Sequence, residues 1–385
     1  MRCAVEFCSL GAMDESSANA PAGEGPKRWN FRGRALLPVV QGGMGVGVSA
    51  GRLAGTVASF DALGTISSVD LRRLHPDLME RTESLEGPQA KAVIDAANQE
   101  ALQREIRKAR ALAGGRGLIA VNVMKALDQY ATYVRQALES GADALVVGAG
   151  LPLDLPELAS GFPGVALVPI LSDARGVQLI VKKWERKKRL PDAIVIEHPR
   201  LAGGHLGAAK IADLNDPRFD FENVIPQSRA FLKSAGLERE IPLIAAGGIR
   251  SREDIAALQA LGAAGVQLGT PFAVTEECDA SPAFKQVLAS ATDEDMVEFT
   301  SVAGLPARAV ATPWLRAYLK IEDRLQAVAQ AALGQAVEGL GAARLGVRDR
   351  LQPVLDLQVG AQPRRGHRAR GQTGHAGELD HVLVA

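Results

Sequence analysis

Cysteine is scarce. Only Cys3, Cys8 and Cys278 occur in 385 residues, an odd number without the spacing of a disulfide framework or a thiolate metal site. That scarcity fits a reducing compartment, and we expect a cytoplasmic protein. An excess of one charge is lacking too: Lys+Arg 44 against Asp+Glu 44 gives a formal net charge of +0. No global field is available to hold a nucleic acid or an anionic membrane surface, so any anion must be bound by a local site. No uninterrupted apolar run approaches the roughly 18 residues of a membrane span. The N-terminus carries acidic Glu6, Asp14 and Glu15 where a secretory signal has a basic and then an apolar stretch. Neither nucleic acid nor membrane is an expected partner.

Glycine, by contrast, is plentiful. There are 40 in the chain, well above the average usage of about 7%, and they must serve turns or close backbone approaches. With 47% hydrophobic and 23% charged residues the composition is globular, and the length suits about two and a half average domains or one large α/β barrel. Residues 1–30 are rich in Ala, Gly, Ser and Pro without a sustained period, which predicts a flexible tail. From Ala35 onward, short apolar runs ending in glycine or proline alternate with amphipathic stretches, the pattern of β-α units with buried parallel strands. The runs are 37–43, 63–67, 118–124, 144–148, 166–171, 193–197, 243–246 and 265–268. Eight runs predict a closed (β/α)8 TIM barrel, of α/β class, over 31–330, with a small helical insertion or lid after the eighth strand.

Helices are predicted between the runs. Pro88 to Ala113 has apolar residues at near-helical spacing, 128–140 ends before Gly141, and 174–190 carries a basic, solvated face. Ser251-Arg-Glu-Asp254 reads as a capping box opening a helix that ends near Gly262. Residues 331–385 have no Phe, Trp or Tyr and hold His367, His375 and His381 without compact ligand spacing. We read them as a low-complexity, flexible basic end, and expect no metal.

In such a barrel the active site lies at the C-terminal ends of the strands. The first run ends in Gln41-Gly42-Gly43-Met44-Gly45, where glycine allows either close approach of a planar ligand or a tight βα turn, and Ser49 is placed to cap the next helix. Asn122 is a polar amide inside an apolar strand and needs a partner, either a ligand edge or a bond within the barrel. After the sixth run, Gly203 and Gly204 precede His205, whose imidazole suits proton transfer at neutral pH; its place on the catalytic face distinguishes it from an ordinary surface histidine. The seventh and eighth runs end in Gly247-Gly248 and Gln267-Leu268-Gly269-Thr270, at the barrel's habitual phosphate site.

With these residues in place, the sequence resembles the nitronate monooxygenase family, formerly called 2-nitropropane dioxygenases. These FMN-dependent barrels also include flavin-type enoyl-acyl carrier protein reductases and NADH:quinone reductases. The matching pieces are Gln41-Gly-Gly-Met44, Val121-Asn-Val123, Val147-Gly-Ala-Gly-Leu-Pro152, Ala202-Gly-Gly-His-Leu-Gly207, Ala246-Gly-Gly-Ile249 and Gln267-Leu-Gly-Thr270, covering about residues 31 to 320. Pro169-Ile-Leu-Ser-Asp-Ala-Arg175 resembles the strand-five motif, with Asp173 where a second serine is common. The resemblance implies that Met44 and its backbone touch the isoalloxazine, Asn122 binds flavin polar edges, the glycine loops hold the phosphate, and His205 is the base or the anion-orienting group. His198-Pro199 stand where many relatives have a flavin-binding Gln-Gly pair, which by position makes His198 a cofactor-binding candidate, and the segment after about Arg324 does not resemble the family's usual end.

The function expected from the resemblance is oxidation of an alkyl nitronate by O2 on FMN, giving a carbonyl compound and nitrite. The alternative is an NAD(P)H-dependent flavin oxidoreductase of the quinone reductase or enoyl-acyl carrier protein reductase type, because the shared residues hold the cofactor rather than the second substrate. The expected partners are a small nitronate or nitroalkane and O2, with NAD(P)H in the alternative; the sequence is compatible with a homo-oligomer.

Overall fold

A computed structural model describes residues 28–205, 207–301 and 305–321. Residues up to Val310 belong to one unit and 311–321 to a second. In the second, 313–321 are helical and Trp314 stacks on Tyr318, with ring centroids 5.7 Å apart. The expected tail at 331–385 lies outside the described residues.

All eight apolar runs become barrel strands. A hairpin, β1 (Trp29–Phe31) and β2 (Arg34–Leu36), comes first among the described residues. The barrel strands are β3 (Val39–Gln41), β4 (Leu63–Ser67), β5 (Leu118–Met124), β6 (Ala144–Gly148), β7 (Ala166–Leu171) and β8 (Ile194–Glu197). After the short β9 (Gly204–His205), β10 (Leu243–Ala246) and β11 (Gly265–Leu268) complete the circle, with β11 pairing back to β3 in parallel. Side-chain alternation divides the core in two. Val40, Leu63, Ala120, Val146, Val195 and Ile244 fill the barrel, together with Trp29, Phe31 and Leu36 of the hairpin. Ile66, Val121, Leu145, Ile194, Ile196 and Val266 face the helices. Trp29 and Phe31 stack with centroids 4.8 Å apart, so the hairpin plugs one end and leaves the C-terminal ends of the strands as the mouth.

The outer layer comprises α1 (Gly51–Ser59), α2 (Pro76–Glu80), α3 (Pro88–Ala113), α4 (Tyr130–Glu139), α5 (Leu155–Leu158), α6 (Ala174–Glu185), α7 (Phe221–Ser234), α8 (Arg252–Leu261), α9 (Thr270–Ala273) and α10 (Pro282–Ser290). The capping box forms as expected: Asp254 N donates to Ser251 Oγ (3.1 Å), Ser251 N donates to Asp254 Oδ2 (2.9 Å), and the helix ends at Gly262 with φ 107°. Asp173 caps α6 by accepting from Gly176 N at 2.7 Å. That helix stops at Glu185 rather than near residue 190, and Lys188 beyond it takes a left-handed φ of 57°.

Two features depart from the sequence expectations. Helices α9 and α10 supply the insertion expected after the eighth strand, but a hairpin follows them, β12 (Met296–Thr300) with β13 (Pro306–Val310). This hairpin adds β9 as a third antiparallel strand, in the register Phe299↔Ala307↔His205.

The second feature corrects the role of Ser49, which does not cap α1. Its Oγ accepts from Met44 N (2.8 Å) and donates to Met44 O (3.2 Å), closing the first loop on itself. The amides at the start of α1 go instead to two distant carboxylates: Ala50 N and Leu53 N each donate to Asp279 Oδ2 at 3.1 Å, and Gly51 N donates to Glu105 Oε2 at 2.6 Å. Lys108 Nζ lies 3.4 Å from Asp279 Oδ1 and 3.6 Å from Glu105 Oε2, offsetting part of their buried charge. Asp279→Ala leaves two amides without acceptors and is expected to lower stability by about 1–3 kcal/mol, with Asp279→Asn losing less because its amide oxygen still accepts. Chemical denaturation of the two variants checks this; equal midpoints for Asp279→Ala and the parent would remove the capping role.

Candidate active site

The first site cluster forms where the adjacent strands β11, β3, β4 and β5 end. Strands β3 and β4 share one register pair, Val40↔Leu63, and the buried amide of Gln41 carries the connection onward by accepting from Thr65 N at 2.9 Å. Its Nε2 donates to Gly42 O. Gly42 N donates to Leu268 O at 2.8 Å, and a Cβ on Gly42 would lie 3.4 Å from Gln267 Cγ. A Cβ on Gly43 would lie 2.2 Å from Asn122 Cβ, far inside contact distance, so glycine at 43 is what lets the loop cross Asn122. Met44 is buried, and its Sδ would stand 3.6 Å from a Cβ on Gly269. Gly42, Gly43, Met44, Asn122, Gln267 and Gly269 are thus brought together. Leu268 joins them through its backbone only, since its side chain belongs to the barrel–helix core.

Asn122 Nδ2 donates to Val146 O at 3.2 Å, so the bond within the barrel is made. Other polar atoms here are buried without a partner: Gln267 Oε1, Thr65 Oγ1 and Ser68 Oγ. An orphaned buried acceptor costs free energy on the order of 1–3 kcal/mol unless a ligand or water satisfies it. The cluster therefore suits a bound group with donors and acceptors on one edge, which is the chemistry of a flavin ring.

The second cluster is built by β8, β9 and β10. Gly247 and Gly248 have φ 110° and 71°; a Cβ on Gly247 would lie 3.3 Å from His198 O, and one on Gly248 3.1 Å from the Leu201 side chain. Gly203 is exposed and Gly204 buried, the latter with φ 72° and paired to Arg308. Arg308 Nη1 also donates to Arg200 O at 2.9 Å. The backbone of His205 is held in β9 opposite Ala307. Thr270 is exposed at the start of α9, with the half-buried Gly269 as its N-cap. The N-terminus of α8 is already occupied by Asp254, whose carboxyl is held below its ordinary range by the amides of Arg250 and Ser251. An incoming phosphate would therefore meet the Gly247-Gly248 and Gly269-Thr270 backbones rather than that helix end.

The His198 side chain is engaged at the start of α7. Its ring meets Phe221 edge-on at 5.4 Å, Nε2 lies 3.5 Å from Asp220 Oδ1, and Nδ1 accepts from Arg200 N at 3.3 Å. Burial pushes this imidazole below its ordinary pKa, against the pull of Asp220. The interior position belongs to its neighbour Glu197, which sequence reasoning did not select. Burial pushes the Glu197 carboxyl up to about 7. The signal was present: Ala193 and Val195 are interior, and the period of two places 197 with them.

Comparison with known proteins places this geometry. A family model described as nitronate monooxygenase matches residues 34–356, so the likeness extends beyond residue 320 and Arg324, where the motifs alone ended it. A probable nitronate monooxygenase of Bacillus subtilis is 26% identical over 293 residues, 72% of this chain and 77% of its own length. One of Staphylococcus saprophyticus is 30% identical over 133 residues, 34% of this chain and 36% of its own length. FabK from Thermotoga maritima shares the fold with a TM-score of 0.55 at 22% identity, over 79% of this chain and 80% of that one. A nitroalkane oxidase from Streptomyces ansochromogenes does so with a TM-score of 0.53 at 22% identity, over 73% and 78%.

Proposed function

The chain belongs to the nitronate monooxygenase family and is an oxidoreductase, and from that premise we propose that it binds FMN at the barrel mouth and oxidises alkyl nitronates with O2. The observation that carries the reading is the cluster of Gly42, Gly43, Asn122 and Gln267, with Gln267 Oε1, Thr65 Oγ1 and Ser68 Oγ buried and unpartnered beside it. FMN, when bound, supplies the electron relay between nitronate and O2, the products being a carbonyl compound and nitrite. The protein's part is positional. Met44 and the loop locked by Ser49 cover one side of the site, Asn122 and Gln267 offer amide groups to the ring's polar edge, and the Gly247-Gly248 and Gly269-Thr270 backbones receive the phosphate. His205 either takes the α-proton of a neutral nitroalkane or pairs with the nitronate anion.

Purified protein is expected to be yellow, to release FMN on heating, and to consume O2 and form nitrite with a preformed nitronate. Release of FAD would overturn the cofactor assignment. NADH oxidation under nitrogen with a quinone or enoyl thioester, without nitrite formation in air, would overturn the reaction.

A further inference from the structure

Glu197 closes β8 at the mouth, and none of the roles above uses it. Its alternation partners Ala193 and Val195 lie inside the barrel, while Ile194 and Ile196 face the helices. Its register partner on β10 is Ala246, which continues into Gly247-Gly248. The carboxylate makes no hydrogen bond or ion pair with any described residue, and burial is the sole cause of its raised pKa.

The charged groups of the surrounding elements are engaged elsewhere. The end of β10 has none before Arg250. Beyond β7, Asp173 accepts from Gly176 N at the start of α6, with Arg218 4.0 Å from it. His198 faces Asp220 before α7, and Lys125 after β5 is bound to Asp154 at 2.8 Å. Arg308 of β13 holds Arg200 O. Arg200, between β8 and β9, has an exposed side chain, and His205 on β9 is the titratable residue that follows it.

We propose that Glu197 is a proton-coupling residue: its carboxylate takes up one proton from solvent when the neighbouring cofactor accepts two electrons, and releases it on reoxidation. The inference rests on the flavin reading above. An unpaired carboxylate at a partly dry barrel end, with no fixed cation beside it among the described residues, responds strongly to negative charge added nearby, because in low dielectric like charges raise each other's proton affinity. Two electrons come from the donor, one proton goes to the reduced ring and one to Glu197 to give the neutral acid; both protons come from water and return to it when O2 removes the electrons.

The test is an anaerobic spectroelectrochemical titration of the flavin in the full-length protein, repeated across neutrality for the parent, Glu197→Gln and His205→Asn. The parent potential is expected to fall about twice as steeply with pH as that of Glu197→Gln. The difference is one tenfold change in K per pH unit, about 30 mV for a two-electron couple. The steep segment is expected to survive in His205→Asn. Parallel lines for parent and Glu197→Gln overturn the inference, as does loss of the steep segment with His205. Should Glu197→Gln fail to fold, the parent alone decides, since a single shallow slope across neutrality overturns it. Protein that takes up no flavin overturns both this inference and the cofactor reading, whereas bound flavin with parallel lines overturns this one alone.

Discussion

His205→Asn is expected to keep its flavin and to lose turnover by about 10²-fold or more, the range of a general base removed. Retention follows from where the contacts lie. The groups assigned to the cofactor are on β3, β5, β10 and β11, whereas His205 sits on β9, held by main-chain pairing with Ala307 that does not depend on the side chain. The backbone of this strand is further tied by Arg308, opposite Gly204 and bonded to Arg200 O at 2.9 Å. Asparagine can occupy the same strand position without disturbing that ladder.

The substrate separates the two roles open to the imidazole. If His205 removes the α-proton, a preformed nitronate bypasses the defect and only the neutral nitroalkane suffers. If it pairs with the anion, both substrates lose, chiefly through weaker binding. The pH profile gives an independent reading: a base acts as the neutral imidazole, so activity rises with pH, while an anion partner acts as the imidazolium, so activity falls. Unchanged rates with both substrates in a flavin-loaded variant would return His205 to an ordinary loop histidine.

The barrel was legible because parallel strands are buried on both faces, so each of the eight reads as a short continuous apolar run. The hairpin of β12 and β13 was not, for the opposite reason. Each strand has five residues, one begins with Pro306, and the exposed Glu298 is paired with Arg308 in register, which leaves no apolar run to see. The caps of α1 were invisible because they come from Glu105 and Asp279, far away in sequence. Ser49, adjacent and of the right type, was the natural local choice, and the fold used it to hold Met44 instead.

The site was legible in part. Glycine loops and Asn122 are local signals, and the fold brings them to one end of the barrel. Which side chain of Glu197-His198 enters the barrel is a matter of pleat parity, and motif comparison alone favoured His198. Counting from Val195 resolves it, since two residues along a strand return to the same face.

Gly43→Ala is expected to be the most damaging of the small substitutions at the mouth. The added methyl would stand 2.2 Å from Asn122 Cβ and 2.7 Å from its Cγ. Neither atom is the free end of a flexible chain: Cβ is fixed to β5, where Asn122 is paired with Ser67 of β4 and Val146 of β6, and the amide is tied to Val146 O. The clash must be relieved by moving the Gly42-Gly43-Met44 loop or the strand. Overpacking of this kind costs about 1–3 kcal/mol, and a displaced loop takes with it the Gly42 to Leu268 bond that joins the two sides of the first cluster. The expected result is a folded, less stable protein that no longer retains flavin through gel filtration. The cause can be isolated by a double-mutant cycle with Asn122→Gly, which removes the Cβ in the way. Gly43→Ala is then expected to cost measurably less stability in the Asn122→Gly background than in the parent, a coupling beyond the roughly 0.5 kcal/mol scatter of independent sites. Additive costs, or a Gly43→Ala variant that holds flavin as firmly as the parent, would mean that the loop yields at no expense and that the 43–122 contact does not shape the site.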